Sequence, residues 1–149
     1  METDPGLESL RRHRAELRDS MTALEQALAA PAADLSGTWA ERANVALVEL
    51  SADIREHIAV TEGPDGLYPG LLVTAPRLCN SVASLTREHV EIKGMADALL
   101  TRMSEPIVST DVEAVRELAI ALLAKLSRHR QRGADLVYEA YQTDIGGET

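Results

Sequence analysis

Apolar residues recur at helical spacing in four long segments of the chain, separated by three groups of helix-breaking residues. The first segment runs from about Gly6 to Ala29, and the second from about Thr38 to Thr61. The third begins near Thr74, which can cap it, with Pro76 in its first turn. The fourth begins at about Thr110. No stretch alternates apolar and polar residues for long, so strands are not expected.

This pattern predicts an all-α fold, an antiparallel up-down-up-down four-helix bundle, because short connections place consecutive helices side by side in opposite directions. The 149 residues are the size of one domain, and no second domain or low-complexity segment divides residues 1–149. Hydrophobic residues make up 45% of the chain, yet Phe is absent and aromatic residues are only 3%. A core of Leu, Ala and Val suits helix packing better than a β-sandwich.

Charge and composition exclude several classes of protein. The net charge of −9 argues against nucleic acid or an anionic membrane as the main partner. No apolar run approaches the roughly 20 residues that span a bilayer, and the opening METDPGLESLRRHR lacks the apolar region of a secretory signal. The single Cys79 cannot form an intramolecular disulfide, so we expect a cytoplasmic protein.

The four histidines are the main candidates for chemistry. Each lies in a different predicted helix, on the apolar stripe where Leu or Ile would be expected: His13, His57, His89 and His129. Blind placement would put all four on inward faces roughly once in a hundred sequences. A buried imidazole without a partner costs about 1–3 kcal/mol. Converging imidazoles can satisfy one another only through something between them, and a transition metal is the simplest choice.

With these histidines the chain resembles the hemerythrin-like proteins, also called HHE cation-binding domains. The matching elements, in chain order, are His13, His57 with Glu62, Leu67-Tyr68-Pro69, Glu88-His89 and His129. The resemblance covers nearly the whole chain. It implies a four-helix bundle that holds non-haem iron, two ions in that family, and that binds or reacts with dioxygen, peroxide or nitric oxide. The functions that the resemblance implies include redox or peroxidase-like chemistry and sensing.

The resemblance also implies a set of metal ligands: His13, His57, Glu62, His89, His129 and, through a bulged turn, Asp135. Glu62 would need a local bulge to reach the metal beside His57. The family's carboxylate on the fourth helix is missing here, where Gly133 and Ala134 stand. A bulge at Gly133 would bring Asp135 to the position of the missing carboxylate. Equally, Asp135 can be a charged residue on the surface.

The reduced ligand set leaves several interpretations open. Lys93 stands where the family has a further histidine, so water or a tyrosine oxygen would complete the site, from one of Tyr68, Tyr138 and Tyr141. Charged neighbours of the histidines, such as Glu88, are better explained as a solvated face, because adjacent helix residues point about 100° apart. The rival function is a metal-free helical interaction or regulatory protein, and a homodimer is compatible with either function.

Overall fold

The computed structural model describes residues 5–32, 36–106 and 111–147, and in these ranges the fold is entirely helical. The helices are α1 Pro5–Ala29, α2 Ser36–Glu62, α3 Leu67–Thr74, α4 Cys79–Met103 and α5 Val112–Gly147. A 3₁₀ turn, Pro76–Leu78, joins α3 to α4. None of the described helices combines the length and the apolar character that crossing a bilayer requires.

The all-α prediction is confirmed with its four long helices, and the short α3 is an addition to it. The prediction that Thr74 caps the following helix was wrong. Thr74 is the last residue of α3, and its hydroxyl donates a hydrogen bond back to the carbonyl of Gly70 at 3.1 Å. Pro76 opens the 3₁₀ turn instead. The expected start of the fourth segment at Thr110 lies outside the described residues.

The long helices pack as a ring of neighbours: α1 on α2, α2 on α4, α4 on α5, and α5 back against α1. Their apolar stripes meet inside this ring in one large cluster. Leu24, Leu50, Leu99 and Leu122 come from the four different helices and are all at most 3% exposed. Burying one such side chain stabilises the fold by about 1.5–3 kcal/mol. These leucines belong to the apolar repeats of the sequence, so the repeats explain this part of the core.

Arg116 of α5 connects three helices at one end of the bundle. Its Nε donates to the carbonyl of Leu28, and its second guanidinium nitrogen donates to the carbonyl of Ala30, both at 2.9 Å. The last carbonyls of a helix have no partner within that helix, so Arg116 satisfies the end of α1. Its guanidinium also lies 5.3 Å from the ring centre of Trp39 on α2. One side chain therefore holds three helices together.

A second, smaller apolar cluster lies around α3 and the adjoining parts of α4 and α5. Its buried members are Tyr68, Leu71, Ala75, Leu78, Val82, Leu85, Leu136 and Ala140. On α4 this cluster stops at Leu85, and the large cluster starts at Ile92. On α5 the large cluster stops at Leu126, and the small one starts at Leu136. The core is therefore interrupted at one level of the bundle.

We expect Leu50→Ala to lower the free energy of unfolding by about 2–5 kcal/mol, because it leaves a cavity at a fully buried position (0% exposed). Val45→Ala on the same helix is the matched control, since Val45 is 62% exposed. That change should alter the free energy of unfolding by about 0.5 kcal/mol or less. Urea unfolding followed by the fluorescence of Trp39 measures both, and equal losses would contradict the orientation of α2.

Candidate metal centre

The interruption in the core is filled by three of the four histidines. His57 of α2, His89 of α4 and His129 of α5 have ring centres 5.1, 5.5 and 4.6 Å apart. One nitrogen of each lies within 4.8 Å of the corresponding nitrogens of the other two. The His89 and His129 rings are only 2% exposed. Three helices thus each contribute one imidazole to a buried nitrogen cluster.

Two carboxylates fix two of these rings. Glu62 Oε2 lies 2.6 Å from Nδ1 of His89, and Glu88 Oε1 lies 2.9 Å from Nδ1 of His129. The other oxygen of Glu88 accepts a hydrogen bond from Arg132. With Nδ1 of each ring engaged, Nε2 is the nitrogen left for the shared space. Imidazoles that bind metals are commonly oriented in this way by a carboxylate on the other nitrogen.

Three ring nitrogens of this cluster have no hydrogen-bond partner in the described part of the chain. Nε2 of His89 and both nitrogens of His57 are buried without a hydrogen-bond partner among the described residues. Buried polar atoms are nearly always paired, so three unpaired nitrogens in one cluster indicate a site for a ligand. His57 differs from the other two rings in having no carboxylate partner.

Burial keeps the cluster neutral. Desolvation, followed by repulsion from the other imidazoles, lowers the pKa of His57 to about 3. Desolvation likewise lowers the pKa of His89 to about 4. The pKa of His129 is also lowered by burial, although the nearby Glu88 opposes the shift. A neutral imidazole is the form that binds a metal, so all three rings are ready as ligands at neutral pH.

The two carboxylates have opposite electrostatic environments. Burial raises the pKa of Glu62. Burial acts in the same direction on Glu88, but its hydrogen bonds with His129 and Arg132 outweigh that effect and lower its pKa. Glu88 is therefore a fixed anion, held by two partners. Among the described residues Glu62 bonds to His89 alone, so it is the carboxylate that is easier to move.

Tyr68 of α3 covers the cluster from the side of the small apolar core. Its ring stacks on His89 at 5.6 Å with an interplanar angle of 10°. Burial raises the pKa of its hydroxyl well above the usual range, and a hydrogen bond with Thr61 only partly opposes this. Tyr68 thus stays protonated beside the cluster. The other two candidate tyrosines, Tyr138 and Tyr141, are 64% and 54% exposed.

His13 is not gathered into the cluster. Its Nδ1 lies 3.5 Å from Glu16 and its Nε2 lies 3.5 Å from Glu56 of α2. Arg14, one residue further along α1, lines the cavity beside His57 instead. A step of one residue turns a helix by about 100°, so the turn that directs Arg14 inward leaves His13 at the border between α1 and α2.

Asp135 also stays outside. It is exposed and accepts a hydrogen bond from Nε2 of Gln131 at 3.0 Å. The bulge expected at Gly133 is absent, since α5 remains a regular α-helix there. Gly133 nevertheless lines the cavity, and a Cβ atom at that position would meet nothing within 4 Å. The missing carboxylate of the fourth helix is thus replaced by open space.

Glu62 reaches the cluster without the bulge that the sequence suggested. The α2 helix is regular up to Glu62, its last residue. The carboxylate turns towards His89 of the neighbouring helix. Its predicted role as a direct metal ligand stays a prediction, and its observed contact is with the outer nitrogen of a ring in the cluster.

The environment of Glu88 differs from the sequence-based prediction. Glu88 was expected on a solvated face, but it is 8% exposed and bonded to His129. The reason is that α4 packs between α2 and α5. Two adjacent residues on α4 can then face two different helices, His89 towards Glu62 and Glu88 towards His129. The sequence feature that could have indicated a buried Glu88 is Arg132, three residues after His129 on α5, because Arg132 supplies a cation for Glu88.

Comparisons with protein-family models, with curated proteins and with solved structures give no match for this chain. The resemblance to hemerythrin-like proteins therefore depends on the residues of this chain alone.

The metal-free protein should lose stability as the pH falls from about 6.5 towards 4. The pKa values of His57 and His89 are lower in the folded state than the ordinary 6.5. The unfolded chain therefore binds more protons than the folded chain in this pH window. As a result, the free energy of unfolding falls as the pH falls. We expect a loss of about 2 kcal/mol for each of these two imidazoles, about 4 kcal/mol in all, between pH 7 and pH 5, measured by urea unfolding with a chelator present. A flat profile would contradict neutral, buried imidazoles.

In the metal-free protein, we expect His57→Leu to raise the free energy of unfolding by about 1–3 kcal/mol, because it removes two buried nitrogens without partners. The control is His13→Leu, which removes a ring that has carboxylates nearby, and should give no such gain. Urea unfolding at pH 7 checks both variants. If His57→Leu destabilises the chain, the imidazole has partners that the described contacts do not include.

Proposed function

We propose that this chain is a hemerythrin-like protein in which His57, His89 and His129 hold non-haem iron. The observation that carries the proposal is the pair of imidazoles fixed by carboxylates through Nδ1, together with buried inward nitrogens that have no partner. An arrangement that served only packing would not need polar side chains at these core positions. An up-down-up-down topology and a cytoplasmic location belong to the same proposal.

The donor set fits a metal ion in chemistry and in size. Metal–nitrogen bonds of about 2.0–2.1 Å hold two nitrogens of one ion about 3–3.5 Å apart. The three nitrogens here lie within 4.8 Å of one another, so small side-chain rotations bring them onto one ion. Imidazole suits iron, zinc, copper and nickel alike. The resemblance to the HHE domains is what selects iron among them.

The described donors support one tightly held ion best. Three neutral imidazoles leave coordination positions open, and Glu62, held only through the outer nitrogen of His89, is the carboxylate freer to turn towards one of them. A second ion would need Glu88 as well, but that carboxylate is held by His129 and Arg132. The two-ion centre that the resemblance implies therefore stays a prediction, which the metal stoichiometry tests.

The surroundings of the cluster favour small molecules as ligands. Bound iron would supply redox chemistry and an open position for dioxygen, peroxide or nitric oxide. The adjoining cavity has a volume of about 30 Å³, and Gly133 leaves it open on the α5 side. Tyr68 shields His89, and the apolar clusters above and below limit the access of water. The protein thus keeps the three rings neutral and orients two of them.

The rival function, a metal-free interaction protein, has one observation in its favour. Several apolar side chains on α2 and α5 are more than half exposed: Val45, Val48, Leu118 and Ile120. Such residues can belong to a surface that contacts a partner. This function does not account for the buried nitrogens without partners, so we rank it second.

Metal analysis of the purified chain tests the proposal. We expect about one tightly bound iron per chain, and a higher melting temperature on iron loading, because a ligand that binds only the folded state stabilises it. Single changes of His57, His89 or His129 to Ala should remove most of the iron and most of the gain in melting temperature. His13→Ala and Asp135→Ala are the matched controls and should retain both.

Glu88→Gln adds a test of the orienting carboxylate. It should weaken iron binding by about 10–100-fold, as the loss of such partners does in other metal sites. Two iron ions per chain would support the binuclear centre of the HHE domains instead. An iron-free chain that melts at the same temperature with and without iron would reject the metal proposal and leave the interaction protein.

A further inference from the structure

Two arginines face the cavity beside His57 with no anion to balance them. Arg14 of α1 and Arg130 of α5 both line this cavity of about 30 Å³. Nε of Arg130 is buried and has no hydrogen-bond partner. Neither guanidinium forms an ion pair with a carboxylate in the described ranges of the chain. Arg132, two residues after Arg130, is by contrast bonded to Glu88.

This arrangement of two arginines is electrostatically unfavourable. Arg130 is partly buried, and the like charges of Arg14 and Arg18 lie close enough to act on it. A buried donor without an acceptor and two like charges around one cavity both carry a cost. A negative ligand in the cavity would remove both costs at once, because it would accept from Arg130 and neutralise the local charge.

The shape of the cavity limits the size of such a ligand. A volume of about 30 Å³ has room for two or three water-sized atoms, at about 10–15 Å³ each. Its remaining walls are mainly apolar: Leu10, Leu17, Leu67, Ala134 and Val137. Such a space suits an anion of only a few atoms. The absence of a side chain at Gly133 is part of what keeps this space open.

The donors also indicate the geometry of the ligand. A guanidinium presents its N–H groups in a planar fork that matches two oxygens in one plane. His57 has two nitrogens without partners. One of them can serve the histidine cluster while the N–H group of the other faces the cavity. Three donors around a small space suit a planar oxyanion better than a spherical ion.

We infer that this cavity binds a small planar oxyanion of about three non-hydrogen atoms, such as formate or nitrite, between Arg14, Arg130 and His57. The site does not depend on the proposed iron, since all of its donors belong to the protein. It therefore exists in the metal-free chain as well.

Formate, nitrite and chloride titrations of the full chain, made metal-free with a chelator and held at constant ionic strength, test this inference. The readout is the Nε–Hε NMR signal of Arg130, assigned from its loss in Arg130→Gln. Formate and nitrite should shift this signal with saturation, and chloride at the same concentration should not. Arg14→Gln, read on the same signal, should weaken binding by about tenfold or more. The Arg130→Gln variant lacks this NMR signal, so its formate binding is measured as the rise in melting temperature that formate causes. This rise should be smaller than in the unchanged chain.

The controls are Arg12→Gln on α1 and Arg128→Gln on α5, which remove the same charge from exposed positions on the same helices. Both should leave formate binding unchanged. Arg130→Lys keeps the charge but loses the planar fork, so it should also bind formate weakly, and it replaces Arg130→Gln if that variant loses helix content. Chloride binding as tight as formate binding, equal losses in the controls, or no saturation would each overturn the inference. Iron content, measured separately, is independent of all these outcomes.

Discussion

The burial of three imidazoles between two apolar clusters is the constraint on which the rest of this structure depends. His57, His89 and His129 occupy a level of the core where leucine would pack at lower cost. Desolvation keeps the rings uncharged, which makes their burial tolerable. The large cluster packs on one side of this level and the α3 cluster on the other. A polar layer of this kind reduces stability, and its natural explanation is a ligand that the layer binds.

The helix order decides how that layer is supported. Because α4 lies between α2 and α5, it presents a histidine to one neighbour and a glutamate to the other. His89 is oriented by Glu62 from α2, and Glu88 orients His129 on α5. Two rings are thus fixed by contacts between helices, so their geometry requires the assembled bundle. The short α3 completes the layer by stacking Tyr68 on His89.

His57 is the exception, and its position explains why. It belongs to the nitrogen cluster and also lines the cavity beside Arg14 and Arg130, and it has no carboxylate partner in the described part of the chain. The cluster offers neutral nitrogen donors, whereas the cavity offers cationic N–H donors. One side therefore suits a metal cation and the other an anion, within one continuous buried region. The two proposals concern different ligands that share a single imidazole.

The sequence by itself determined the helical fold, because apolar residues that repeat at helical spacing fall on one face only when the segment is an α-helix. It also identified the histidines as chemical candidates, since imidazoles on apolar stripes are costly. Only the tertiary structure decided which of them meet. His13 and Arg14 are one residue apart, and about 100° of helix rotation separates a surface pair with Glu56 from a place in the cavity. Glu88 and Asp135 show the same limit, because periodicity along one helix gives the inward face but not which neighbouring helix that face meets.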